Sequence, residues 1–309
     1  MGAYVVNRLV QMLLVIIGIS VFVFIITNML GDPVNVLLPP ETPFEQREQF
    51  REEMGFNRPL VVQYLDFARD AVIGDFGMSF RSQRAATTIV MERLPATLLL
   101  TVSATIVATL IAIPMGIISA YKRHSIWDNI TTIFVVTGQA MPIFWLGLIL
   151  IIIFGVNLKW LPPSGYGEFG MDRVKHMVLP VLVLGVFLAP VTERLVRSGM
   201  LDALSQDYVR TARAKGLRER VVLVRHAFRN SMIPVITVLG LQFGQLLGGA
   251  VITESVFAWP GVGLLAIDSI RNSDFPVTQA VVVILAVLIC LVNLAVDLVV
   301  GSLDPRIRR

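Results

Sequence analysis

Four lysines and three histidines are the side chains from which nucleotide or metal chemistry would be built here, and their spacing argues against both. A P-loop needs a glycine-rich turn ending in Gly-Lys, so that backbone N–H groups cradle the phosphates while the lysine reaches the terminal ones. The lysines instead follow Tyr121, Leu158, Val174 and Ala214, and no Walker-type site can form. His124, His176 and His226 lie far apart, without HExxH or another close ligand spacing, so no metal is assigned. Cys290 is the single cysteine and excludes an intrachain disulfide or redox pair. Ser79, in Gly77-Met78-Ser79, is the nearest imitation of a nucleophile, but the apolar segments hold no histidine to activate one. Catalysis by this polypeptide is not expected. An ion-coupled carrier, the other alternative, would keep ionisable residues inside its spans. Only Asp297 qualifies, near the inner end of the last apolar run, where water or Arg306 is in reach. Glu193 and Glu254 read as residues at span edges.

The elements that carry these residues are apolar. Of 309 residues 55% are hydrophobic and only 16% charged, against about 25% charged in a soluble domain. A bilayer core about 30 Å thick needs roughly 20 apolar residues as helix. Uncharged stretches at 9–30, 94–121, 130–158, 177–192, 230–253 and 275–296 give six candidate spans. The fourth is short and must borrow neighbouring turns. The first is too long for the core of a cleaved leader and is read as retained. Prolines 114, 142, 180, 190 and 234 fall in or at the ends of these spans, which predicts kinked helices that lean on neighbours. The sequence thus predicts an all-α, polytopic membrane protein. Its segments are a first helix (1–30), an extracytoplasmic helical segment (31–93), a five-helix core (94–302) containing an inner loop (193–231), and a tail (303–309).

With the amino terminus inside, the inner segments hold 15 Lys and Arg and the short outer loops 4, so both termini are expected in the cytoplasm. The net charge of +4 is therefore read as lipid-directed, with no nucleic acid partner. In the long outer segment, Thr42-Pro43-Phe44-Glu45 predicts a capped helix start, Gly55 its end, and residues 60–73 a second helix with Leu60, Tyr64, Ala68 and Val72 on one side. A packed linker and a docking surface explain this segment equally well.

The inner loop carries most of the information. DYVRTARAKG (207–216) has strong helix formers and the small Ala212 and Ala214 until Gly216 interrupts it. Beyond the glycine, Val221, Val224 and Phe228 share one helical side and Arg218, Arg225 and Arg229 another, the pattern of a helix lying on a membrane surface. Two short helices hinged at Gly216 are predicted. In the fifth span Gly240, Gly244 and Gly248 recur every four residues, a close-approach stripe for another helix. Gln242 and Gln245 point the opposite way, toward either structural hydrogen bonds or a water-lined translocation path.

DYVRTARAKG followed by RHAFRNSMIP (225–234) resembles the cytoplasmic coupling loop of ABC importer permeases, in the variant of the dipeptide, oligopeptide and nickel group. The likeness extends to Gly31-Asp32-Pro33, MGFNRPLVVQYL (54–65), GDFGMSFRS (74–82), ERLPATL (92–98), ESVFAWPGVG (254–263) and LDPRIRR (303–309). The general permease signature begins with glutamate where Arg210 stands, and the stretch from Gly216 to Pro234 is longer than that signature, as in the peptide subgroup. No role of that glutamate carries over. The resemblance implies a type I ABC importer permease fold in a bacterial or archaeal cytoplasmic (inner) membrane. It also implies pairing with a second, homologous permease, two cytoplasmic ATPases that use ATP and Mg, and an extracytoplasmic solute-binding protein, with no cofactor on this chain. Asp207, Arg210, Ala212, Lys215 and Gly216 are the expected ATPase-coupling residues. The implied cargo is a di- or oligopeptide, with nickel or glutathione as alternatives.

Overall fold

The computed structural model describes residues 2–30, 33–39 and 41–303. In chain order its helices are α1 (Gly2–Leu30), α2 (Pro33–Leu37), α3 (Phe44–Glu53), α4 (Leu60–Val72), α5 (Ala86–Tyr121), α6 (Ile126–Ala140) and α7 (Ile143–Leu150). There follow α8 (Met171–Leu204), α9 (Asp207–Ala214), α10 (Glu219–Val221), α11 (Arg229–Gly249), α12 (Val251–Val256), α13 (Val262–Arg271) and α14 (Phe275–Leu303). π-Helical turns extend α7 over Ile151–Asn157 and α10 over Val222–Phe228. The only extended pairing among the described residues is an isolated bridge between Met78 and Ala85.

Among the described residues four helices are long and apolar enough to cross a membrane: Val6–Met29 within α1, α5, α8, and Phe275–Gly301 within α14. The expected span at 130–158 is broken, with α6 and α7 meeting at 106°. Pro142 is the cause, because it lacks an N–H and forces Met141 before it into extended backbone. Counting that pair as one span makes five. The expected span at 230–253 contains a shorter apolar stretch, Pro234–Gly248, about 22 Å of helix at 1.5 Å per residue. The expected count of six is therefore not confirmed, while the all-helical class is. The short fourth run does borrow turns: α8 continues unbroken for 34 residues through Pro180 and Pro190.

The chain divides into two compact units, Met1–Thr97 with Pro260–Cys290, and Leu98–Trp259 with Leu291–Arg309. In the first, Val23, Phe76, Val90, Val262, Val277 and Val281 form a buried core. Phe24 of α1 stacks with Phe67 of α4 at 5.7 Å and meets Tyr64 edge-on at 5.6 Å. The turn at 78–85 is held by Asp274, whose carboxylate accepts from the Ser79 hydroxyl at 2.5 Å and the Phe80 N–H at 3.1 Å. In the outer segment Gly55, at φ +73°, ends α3 as expected. The expected capping box does not form. Pro43 itself is the N-cap and no side chain bonds the first turn. Arg47 instead ties the approach down by donating to the carbonyls of Thr42 and Pro39.

In the second unit α8 is the central element, packed on α6, α7, α11 and α12. Small residues allow the approach: a Cβ on Gly138 of α6 would lie 3.1 Å from Pro190 Cγ, and one on Gly199 of α8 would lie 2.7 Å from Ser231 Cβ. Glu193 and Glu254, read from sequence as boundary residues, are both buried. Glu193 Oε1 has no hydrogen-bond partner among the described residues.

Candidate coupling site

Helix α8 ends at Leu204, and Ser205 and Gln206 turn the chain into α9. The eight residues of α9 are strongly two-sided. Val209 and Ala212 are buried against Val222 and Leu204, whereas Asp207, Tyr208, Arg210, Thr211, Arg213 and Ala214 are exposed. At its end the Gly216 N–H bonds the Arg213 carbonyl at 2.9 Å, and Gly216 takes φ +75°. The left-handed conformation is one that glycine adopts without strain, and it closes the helix. Arg213 then reaches across the turn to Glu219, with N···O distances of 2.7 and 3.3 Å. That carboxylate raises the Arg213 pKa still further, so the clasp stays charged. The hinge expected at Gly216 is therefore a braced corner between α9 and α10.

Of the coupling residues expected from sequence, Asp207, Arg210, Lys215 and Gly216 share the exposed side. Ala212 does not, being 4% exposed and facing Val222. Its small size lets α9 lie close on the element beneath, and it offers no surface to a partner. The return helix also differs from the expectation. Val221 and Val224 are exposed, and the buried pair is Val222 and Ala227. The π-helical turn explains the change of register, since residues five apart superpose where an α-helix would align residues three or four apart.

Below this corner the buried core runs through Met200, Val196, Ala120, Ala227 and Val235. Beside it lies a polar node that the sequence reading missed. Asp128 on α6 accepts from Arg197 of α8 through Nε and Nη2, both at 3.1 Å, from the Ser119 hydroxyl of α5 at 2.6 Å, and from the His124 N–H at 3.0 Å. Arg197 Nε also donates to Ser119 Oγ at 2.8 Å. The node fastens the turn between α5 and α6 to α8, two turns before α8 ends. A charge at the margin of two separate uncharged runs was the available signal.

The candidate path residues part company. Gln242 is buried, donating to the Leu188 carbonyl at 3.2 Å and accepting from the Thr192 hydroxyl at 3.0 Å, while Gln245 is exposed. The glycine stripe is uneven too. A Cβ on Gly240 would come within 2.2 Å of Val296 on α14, Gly244 is buried, and Gly248 is exposed. Arg306, the expected partner of Asp297, lies outside the described residues.

Residues 112–309 match the family described as binding-protein-dependent transport system inner membrane component, and residues 1–101 match the N-terminal region of such membrane components. The chain is 42% identical to the oligopeptide transport system permease protein AppB of Bacillus subtilis, over 99% of both chains. It is 40% identical to the glutathione transport system permease protein GsiC of Escherichia coli K12 and to the dipeptide transport system permease protein DppB of the same strain. Each of those matches covers 99% of this chain and 98% of the relative. Among solved structures, the inward-facing MetNI methionine ABC transporter shares the fold, with a TM-score of 0.58 and 18% identity over 70% of this chain and 96% of that one. The chain is a member of the inner-membrane component family of binding-protein-dependent transport systems.

Proposed function

We propose that this chain is the permease subunit of an ATP-driven importer of di- or oligopeptides, fed by an extracytoplasmic solute-binding protein. It pairs with a second permease and two cytoplasmic ATPases, holds both termini in the cytoplasm, and leaves ATP hydrolysis to those other chains. The observation that carries the reading is α9. It is a short helix pinned from behind by Val209 and Ala212, closed by a left-handed glycine, and open along Asp207, Arg210 and Lys215. Such a helix fits a cleft on an ATPase and returns the motion of that cleft to α8 through the packed core. The peptide cargo is supported by the kinship with oligopeptide and dipeptide permeases. A glutathione cargo is the second reading, supported by the relative named for that solute.

The test is reconstitution of the chain in vesicles with its companion permease, ATPases and binding protein. Arg210→Glu with Lys215→Glu should abolish uptake and the stimulation of ATP hydrolysis by loaded binding protein while membrane insertion is kept. Unchanged uptake in that double variant would remove α9 from coupling. Uptake by the chain alone would end the importer-subunit reading.

A further inference from the structure

A groove of about 580 Å³ runs beside the first span, lined by Val21, Phe24, Ile25 and Met29 of α1 and by Phe56 and residues of α4. Its volume is that of a small-ligand site. The lining is mostly apolar, and its few polar side chains are already engaged inside the chain through at least one bond each. Asn28 Nδ2 donates to the Phe24 carbonyl at 2.9 Å, and Gln63 Nε2 to the carbonyls of Phe56 and Arg58. The Tyr64 hydroxyl is bonded to Ser20 Oγ at 3.0 Å, and Arg51 is paired with Glu48 at 3.0 Å. A peptide lying here would bury its backbone N–H groups and carbonyls with few partners, at a cost of several kcal/mol for each orphan. An alkyl chain would lose nothing.

Position points to the same occupant. The α1 side of the groove is built from the last turns of the apolar span Val6–Met29, most of which is exposed within the chain and faces lipid wherever the companion permease does not cover it. The groove therefore opens at the margin of the bilayer core. Helix α4 continues that surface: Val61, Leu65 and Val72 fall within about 40° of one another on the helix and are all exposed. Beside them, Tyr64 and Phe67 turn inward to Phe24. This arrangement explains why α4 has two adjoining apolar faces where a helix lying on a protein in water would have one.

We propose that this groove between α1 and α4 holds an acyl chain of a membrane phospholipid, and that α4 lies in the lipid interface. The test uses the assembled transporter in vesicles of phosphatidylethanolamine and phosphatidylglycerol. A photoreactive benzoylphenylalanine replaces Leu60 in the groove or, as a control, Phe22 on the exposed side of α1. Mass spectrometry should find phospholipid on both probes. A groove-filling Val61→Trp, or Ile25→Trp as a second filler, should lower the yield at position 60 about tenfold, equivalent to 1.4 kcal/mol of lost affinity, and leave position 22 unchanged. Cross-linking at position 60 to the companion permease or to cargo would overturn the proposal. So would a lipid yield there that neither filler changes, which marks bulk bilayer contact, or a silent probe at 60 beside a reactive one at 22.

Discussion

Breaking the node of Asp128, Arg197 and Ser119 tests whether the end of this chain that carries α9 moves as one piece. Asp128→Ala removes an acceptor of four hydrogen bonds, stranding the Ser119 hydroxyl proton and the His124 N–H and leaving the Arg197 guanidinium its bond to Ser119 Oγ. Losing one partner of a fully buried pair costs about 3–5 kcal/mol. Asp128 is 9% exposed, but Arg197 is 31% exposed and can recover part of its hydration, so the expected cost is about 2–3 kcal/mol once that screening is discounted. Arg197→Ala should cost a similar amount, because it leaves the carboxylate with two of its four donors. The double variant should cost less than the two singles together, with a coupling of about 1–2 kcal/mol, since one interaction cannot be lost twice.

The readout is thermal unfolding of the purified transporter for the four members of the cycle, with ATP hydrolysis stimulated by loaded binding protein measured on each. At roughly 2–4 °C per kcal/mol for a unit of this size, each single variant should lower the transition by about 4–12 °C. Arg197→Lys keeps the charge but cannot present two parallel N–H donors, and should recover less than half of the loss. A coupling within about 0.5 kcal/mol of zero, the scatter of independent sites, would refute the node as a strut. Full stimulation in a variant that shows the thermal loss would refute its part in transmission.

Further expectations follow from the geometry of single residues. Gly240→Leu forces a side chain onto Val296 and should cost about 1–3 kcal/mol or more as overpacking, whereas Gly248→Leu, at an exposed position, should leave the melting transition unmoved. Gly216→Ala meets no atom within 4 Å, but holding φ at +75° costs about 1–2 kcal/mol with a β-carbon, and protease nicking between α9 and α10 should rise accordingly. Asp274→Ala strips Ser79 and Phe80 of their acceptor and should expose the 78–85 turn to proteolysis, at a cost of about 1–3 kcal/mol. Gln242→Leu should destabilise by orphaning Thr192, at about 1 kcal/mol, while Gln245→Leu should change only uptake if that exposed amide lines the path.

Where a local rule dominates, the architecture was readable before the fold was known. An uncharged run of twenty or more residues can satisfy its backbone in lipid within the run itself as a helix, so α1, α5 and α14 were visible as composition alone. Gly55 and Gly216 were visible as helix ends because the left-handed turn that closes a helix excludes most other residues. Pro142 was legible as a disturbance but not as a bend of 106°, since proline removes a hydrogen bond without dictating where the freed chain packs. Asp128 and Arg197 stand 69 positions apart, and nothing local to either marks the other. Glu193 and Glu254 read as boundary charges because sequence measures distance to the end of an apolar run, and burial is decided by neighbours from other helices.

The return helix after Gly216 isolates the limit most sharply. Reading one face of an α-helix assumes 3.6 residues per turn, and on that assumption Val221, Val224 and Phe228 form an apolar side for lipid. A π-turn places residues five apart over one another, so Val222 and Ala227 go inward and two of the three expected residues face out. The cause is tertiary. Val222 has to meet Val209 and Ala212 of α9 while Ala227 meets Met200 and Val235 in the core below, and an unperturbed α-helix cannot present both to their partners. The wider turn is therefore the adjustment that lets one short helix serve two contacts at once. Deleting Leu223, on this argument, should restore α-helical register and break one of those contacts. The variant should still insert and bind the ATPases through α9, yet lose stimulation by loaded binding protein. Retained stimulation would mean that the π-turn is incidental to coupling.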